Sequence, residues 1–500
     1  MFEQICQLPR YLILRKMAIE VQGNGNLREV SFEMAGQQGL ANGDLDDDGH
    51  AKRTGTLVTA SAYIITAVIG SGVLSLAWAM AQLGWVIGLL VLVSFSFITW
   101  HCSTLQADCY RSPDPIHGRR NYTYMEAVKT NLGGVQVQLC GLVQYANLVG
   151  VTISYAITTA ISMAAVKRSY CFHKNGHNVP CDEPLNVYVI IFASTEIVLS
   201  QIPNFHKIWW LSIMAAVMSF SYSLIGLGLS IAKIAEGNSN VSTSLTGLPV
   251  GMDLSSREKV WKMLQALGNV ASAFSFALVL IEIQDTLKSS PPENKTMKKS
   301  ALIGVSTTTV FYMLCGVTGY LAFGNAAPGN FLTGFGFYEP FWLIDIGNIC
   351  IVIHLLGGYQ VFCQPVFQFV ENWSGTRWHS RGFFTSDHII SVPLLGSLSF
   401  NITRVIWRTV YVIITAVVAM TFPFFNSFVG FVGGVAFWPL TVYFPVEMYI
   451  SQAKVQRFSG MWIWLKIMSL VCLVVSLAAA CGSLQGLIHD LREYKPFRNF

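Results

Sequence analysis

The stretch IGSGV, residues 69–73, sets two glycines around a serine inside an uncharged run, TASAYIITAVIGSGVLSLAWAMAQLGW, at residues 59–85. Glycine weakens a helix by about 1 kcal/mol relative to alanine, so the middle of this run is expected to open. An opened helix frees backbone N–H groups at the start of its second half, where the helix dipole is positive, and such groups bind carboxylates. The amides of Ser71, Gly72 and Val73 are the candidate donors, with the Ser71 hydroxyl beside them. Gly70 and Gly72 are expected to permit the necessary backbone angles and to let a ligand approach without a Cβ in the way. An ammonium group needs acceptors, and freed carbonyls from Thr66 and Ala67 up to residue 69, and at residues 271–274, are of the right kind. Such a set needs no acidic side chain. The competing reading of both glycines is close helix packing.

A second, weaker interruption lies in QALGNVASAFSFALVLIEIQ, residues 265–284, where Gly268-Asn269 is followed by small residues and then Phe274-Ser275-Phe276. Ser272, Phe274 and Ser275 are candidate lining residues there, and Tyr145 and Asn147 are candidates from another apolar run; for each the alternative is plain helix packing. Titrating groups in apolar surroundings are candidates for carrying a proton. The candidates in apolar surroundings are Glu196, Glu282, Asp285, Asp345, His354 and Glu447, of which His354 and Glu282 lead.

These groups must be positioned by membrane-spanning helices. The chain is 53% hydrophobic and 12% charged, against roughly 25% charged in soluble domains. Apolar runs recur at 55–80, 85–106, 135–166, 185–200, 208–232, 264–283, 301–323, 340–370, 405–422, 424–450 and 461–487. The expectation is an all-α polytopic membrane protein with about 11 transmembrane helices. The interruptions fall in the first and sixth runs. Five runs per half is an odd number, so the second half would lie inverted relative to the first, and interruptions at matching positions of two halves point to a transporter's binding site. The first repeat then covers about 55–235, the second about 261–450, and 461–487 is an extra helix.

With the N-terminus cytosolic, 22 of the 32 Lys and Arg residues fall on the inner side, as the positive-inside rule requires. The net charge of +5 therefore reports topology, and nucleic acid need not be invoked. The C-terminal tail at 491–500 runs against the rule, since Arg492, Lys495 and Arg498 fall outside. Residues 1–50 are polar, with the acidic run DLDDD, and are expected to form a disordered cytosolic tail ahead of a transmembrane domain at 51–490. Cys171 and Cys181 flank FHKNGHNVP on the outer side, where a disulfide persists; two free thiols are the alternative. Asn240, in NVS, is the one N-x-S/T triplet facing out and is the glycosylation candidate. No metal site, cofactor motif or phosphate-binding G-x-x-x-x-G-K-[ST] loop is evident.

Four stretches carry a resemblance. KRTGTLVTASAYIITAVIGSGVLSLAWAMAQLGW (52–85), LVLIEIQDTLKSSPPENKTMKK (278–299), GGYQVFCQPVFQFVE (357–371) and AFWPLTVYFPVEMYI (436–450) resemble the plant amino acid permease family, of the amino acid/auxin permease superfamily, in the right order. The resemblance implies a proton-coupled importer of neutral and other amino acids in the plasma membrane. It also implies the five-plus-five inverted-repeat, LeuT-like fold with broken helices 1 and 6, and it matches His354 to a histidine usual in the family. Two departures stand out. The family commonly reads TASAHIITAVIGSGVL and ALGDIAFAYSYS, whereas this chain has Tyr63 for the histidine, Asn269 for the aspartate, and FSF for YSY. Neither tyrosine nor asparagine cycles a proton near neutral pH, so a changed substrate range or weakened coupling is expected. Alternatives are a transport-inactive amino acid sensor and a carrier of another carboxylate or amine, such as an indole acid. An enzyme is not expected: H-E-x-x-H and G-x-S-x-G are both missing.

Overall fold

Thr56 begins the first helix, α1 (Leu57–Val68), through a capping box in which it and Thr59 each bond the other's backbone N–H. The computed structural model describes residues 53–202, 209–237, 241–251, 254–338, 340–377, 388–392 and 396–493. The tail at 1–50, Asn240 and the last residues of the C-terminal tail lie outside the described residues. After α1 the chain extends through Ile69 and Gly70 and restarts as a 3-10 turn, Ser71–Ser75, that runs into α2 (Leu76–Asp108).

The long helix α2 folds over at Gly84, whose φ is +75°. A Cβ there would lie 2.1 Å from the Gly247 nitrogen, and one on Gly247 (φ +81°) would lie 2.0 Å from the Gln82 carbonyl oxygen. Both positions thus require glycine, by conformation and by space. The part of α2 before Gly84 completes the crossing begun by α1, and the rest makes a second crossing.

There follow a short hairpin of β1 (Arg111–Ser112) and β2 (Arg119–Arg120), then α3 (Tyr124–Asn131), α4 (Gly134–Asn175), α5 (Leu185–Ser200) and α6 (Trp209–Ala235). The second half opens with α7 (Ser256–Ala273), breaks at residues 274–276, and resumes as α8 (Ala277–Gln284). It continues with α9 (Glu293–Phe323), α10 (Phe341–Arg377), the antiparallel pair β3 (His388–Val392) and β4 (Gly396–Phe400), and α11 (Ile402–Thr421). Then come α12 (Phe425–Ala436), a π-helical segment (Phe437–Tyr443) that leads into α13 (Phe444–Gln452), and α14 (Gly460–Glu493). Among the described residues nine helices are long and apolar enough to cross a membrane, and two shorter apolar helices, α1 and α5, join them. With the fold at Gly84 these make eleven crossings.

The first and sixth crossings run in opposite directions. The first starts at the end of the molecule that holds Arg53, Asp108, Glu293 and Gln452, tied together by hydrogen bonds. The sixth starts at the far end, where the 241–251 loop meets Gly84 and Asn325, and finishes at Asp285 beside Tyr110. This is the five-plus-five inverted arrangement with both equivalent helices broken. Glycines let α7 pack closely in the far half: a Cβ at Gly268 would fall 2.2 Å from the Gly430 carbonyl oxygen, and one at Gly433 would fall 2.3 Å from that of Gly268.

Candidate functional site

The two breaks touch. A Cβ on Gly72 would lie 2.9 Å from the Ala273 Cα, so the restart of helix 1 rests against the last turn of α7. Gly70 has φ −136° and ψ −154°, extended backbone that other residues adopt, and Gly72 sits in a 3-10 turn without a positive φ. The expectation that these glycines supply special backbone angles is therefore corrected. Gly72 is needed for space, since any side chain would push the two breaks apart.

The freed donors are fewer than the sequence suggested. The Val73 amide is spent on the Gly70 carbonyl at 3.3 Å, closing the 3-10 turn. Ser71 and Gly72 open the half-helix, and among the described residues their amides meet no backbone acceptor. The acceptors are also partly committed. Val68 and Ala273 end their half-helices, and both carbonyls face the Tyr312 hydroxyl of α9, at 2.5 and 3.1 Å. The Thr66 hydroxyl donates to the Ala62 carbonyl of its own helix at 2.9 Å, and Ala67 is exposed.

Around this centre stand buried polar groups. His354 reaches in from α10. Its Nδ1 lies 2.7 Å from the Ala215 carbonyl of α6, a pure acceptor, so Nδ1 carries the proton and Nε2 presents a lone pair. Among the described residues that Nε2 has no hydrogen-bond partner, and it is 3.9 Å from where a Cβ on Gly70 would be. The Tyr222 ring packs edge-on against His354 at 5.8 Å, and its hydroxyl is buried. Tyr155 of α4 is close enough to Tyr222 and Tyr312 to interact electrostatically. Phe274 is buried with its ring edge-on to Tyr312 at 5.3 Å. Ser275 donates its amide to the Ser272 carbonyl, and the Ser272 backbone is crowded against Gly433.

Several sequence candidates stand elsewhere. The Tyr145 ring packs on Phe369 at 4.6 Å, in the half toward Arg53, and Asn147 is buried near it on the same helix. Tyr155, ten residues further along α4, is the tyrosine that reaches the group around the breaks. Sequence reasoning missed it together with Tyr222 and Tyr312; their only signal is a hydroxyl-bearing ring inside an apolar helix. Glu282 is buried two turns beyond the second break, near Tyr124 and Cys140. Asn269 is fully buried with neither amide atom paired, and it faces Gly430 of α12 rather than the breaks. Tyr63 is half-buried on α1, which packs on α8 and α9. The two departures therefore sit on different broken helices, one on α1 and the other on α7. Cys171 and Cys181 are bonded, with S–S 2.01 Å and Cα–Cα 6.0 Å. No group of three or more metal-ligating side chains occurs among the described residues.

Buried contacts stand at each end beyond this centre. On one side Arg53, just before α1, pairs with Glu293 at 2.7 Å, and Tyr110 bonds Asp285 at 2.6 Å. On the other, Phe331 and Leu332, in the turn Phe331–Phe335, are buried, with the Phe331 ring seated on Gly226 of α6.

Residues 53–489 match the sequence pattern of the family described as transmembrane amino acid transporter protein. The chain is similar to amino acid permease 6 of Arabidopsis thaliana, 64% identical over 461 residues covering 92% of this chain and 96% of that one. It is also similar to amino acid permease 1 of that plant, 58% identical over 455 residues, covering 91% and 94%. Among solved structures, MhsT in complex with L-phenylalanine shares the fold, with a TM-score of 0.50 at 10% identity, covering 86% of this chain and 99% of that one.

Proposed function

The chain belongs to the transmembrane amino acid transporter family, and we propose that it imports amino acids together with protons, across the plasma membrane, with its N-terminus in the cytosol. The substrate carboxylate lies at the restart of helix 1, on the amides of Ser71 and Gly72 and the Ser71 hydroxyl. Its ammonium group lies toward the other freed carbonyls at residues 66–69 and 271–274, beside the pair that Tyr312 occupies. The observation that supports this reading is the meeting of the two breaks: the restart of helix 1 rests against the end of α7, beside the point where the carbonyls of Val68 and Ala273 face Tyr312. A zwitterion has the complementary charges, and dipole ends stabilise them where water is scarce.

His354 is the proton-carrying group in this reading. Its Nε2 lone pair stands beside Gly70 with no hydrogen-bond partner among the described residues, so a proton gained there is felt at the carboxylate site. The charged contacts at Arg53 and the aromatic contacts at Phe331 then open in turn, which is alternating access. Tyr63 and Asn269 modify coupling or substrate range from separate places. Asn269 acts on the packing of α7 with α12 and α14, and Tyr63 acts on α1.

The test is uptake of a labelled amino-acid panel by a transport-deficient cell expressing the chain, at several external pH values, with and without an uncoupler. Accumulation abolished by the uncoupler and raised by external acid is expected. Uptake indifferent to both would remove proton coupling, and ligand binding without accumulation would remove transport. His354→Gln is expected to flatten the pH response while leaving exchange of internal for external substrate.

A further inference from the structure

Two carbonyls released by different helix breaks, those of Val68 and Ala273, converge on one point, and a side chain fills it. The Tyr312 hydroxyl lies 2.5 Å from the first oxygen and 3.1 Å from the second. Tyr312 is fully buried. Each carbonyl ends a half-helix, α1 at Val68 and α7 at Ala273, so each carries the negative end of a helix dipole. Two such acceptors facing each other in a dry interior repel and demand a donor. In transporters with broken helices, freed carbonyls and half-helix C-termini are where a coupling cation is held. Here a single hydroxyl proton, shared between both oxygens, meets that demand.

The surroundings leave no slack. Gly72 presses against the Ala273 backbone, and the Phe274 ring stands edge-on to Tyr312 at 5.3 Å. Tyr312 belongs to α9, which packs along both α1 and α2, so its ring is carried by a helix that is itself unbroken. The hydroxyl is therefore delivered from a continuous helix to the two discontinuous ones.

We propose that Tyr312 is a positioning residue that serves as a built-in substitute for a small metal cation between the two helix breaks. Its hydroxyl ties the end of α1 to the end of α7 at the spacing the substrate site requires. The chain consequently needs no Na+ or Li+ at this point. The inference rests on the transport reading above and deepens it.

The experiment compares wild type, Tyr312→Phe and Tyr312→Asn as full chains in the transport-deficient cell. Uptake is normalised to surface protein, with Na+, Li+ or N-methylglucamine as the external cation. Tyr312→Phe keeps the ring and removes only the donor. Its KM is expected to rise about tenfold, the scale of one lost hydrogen bond, with a smaller change in maximal rate. Tyr312→Asn shortens the side chain, opens room beside the carbonyls and adds a third oxygen. Its uptake is expected to rise several-fold in Na+ or Li+ over N-methylglucamine, while wild type is indifferent to the exchange.

A wild-type KM in Tyr312→Phe would overturn the proposal. So would a wild type that itself depends on Na+ or Li+, or a Tyr312→Asn variant blind to both. If wild type accumulates no amino acid, it is the transport reading that fails. The inference is then read from thermal unfolding of the purified chains: Na+ or Li+ should stabilise Tyr312→Asn and leave wild type unmoved, and no difference between the two would sink it.

Discussion

At the Arg53 end, the elements beyond the helix breaks are held together by charge. Arg53 and Glu293 meet with side chains 1% and 2% exposed, and Arg111 shares the same carboxylate at 2.7 Å. Asp285 accepts from Tyr110 and has Arg120 at 3.8 Å, and Lys298 pairs with Asp108 nearby. At the opposite end the elements are held by rings and glycines. Phe331 sits on Gly226, Phe323 packs on Phe335 with Lys233 over its face, and Gly84 and Gly247 let the 241–251 loop press onto α2. A buried ion network has discrete partners that water can replace one by one, and it costs heavily when one member is removed. An apolar seat responds instead to volume. The two ends are thus sensitive to different perturbations, which lets one open while the other holds.

The sharpest break in that contrast is Glu293→Ala. It removes the carboxylate shared by Arg53 and Arg111, and a loss of about 3 kcal/mol or more is expected. The solubilised protein should melt earlier, and a cysteine introduced near Thr286 should become reactive from the Arg53 side. Gly226→Ala tests the other end. Its Cβ would lie 2.1 Å from the Phe331 ring, so overpacking of about 1–3 kcal/mol is expected, with probe access gained only from the disulfide end. Between the two ends, Gly72→Ala should depress uptake by more than tenfold, because its Cβ meets the Ala273 backbone. Gly70→Ala should cost at most about twofold, since its Cβ finds only the His354 ring at ordinary contact distance. Labelled uptake normalised to surface protein separates them, and equal losses would contradict the crowding argument. The smallest effect is expected for Lys298→Ala, whose pair with Asp108 is partly exposed. Its contribution is below about 1 kcal/mol and falls with salt, and a melting curve at two ionic strengths checks it.

Most of the frame was legible in the chain. Eleven apolar runs, the interruptions at 69–73 and 274–276, and the odd number of crossings per half follow from hydrophobicity and glycine placement, which are local properties. The candidate site was legible only in its backbone part. Gly72 is legible in the sequence, and of its two readings the structure supports close packing, against the Ala273 backbone, rather than a special backbone angle. Val73 was counted as a free donor, although the 3-10 turn consumes its amide. Tyr145 was preferred on α4, while Tyr155 reaches the group around the breaks, because one helix face cannot be told from another without its neighbours. The departures at Tyr63 and Asn269 lie on different helices, Tyr63 on α1 and Asn269 on α7 facing Gly430 of α12.

What the sequence determined by itself is that this chain crosses a membrane many times and breaks two of its crossings, because apolar runs and helix-weakening residues act where they stand. Only the tertiary structure decided which groups meet at those breaks. His354, Tyr222 and Tyr312 come from three helices far apart in the chain, and their relation depends on which helix face packs against which. The carbonyls of Val68 and Ala273 are anonymous in a sequence, since every residue has one. They become a site because two broken ends are brought within reach of a single hydroxyl.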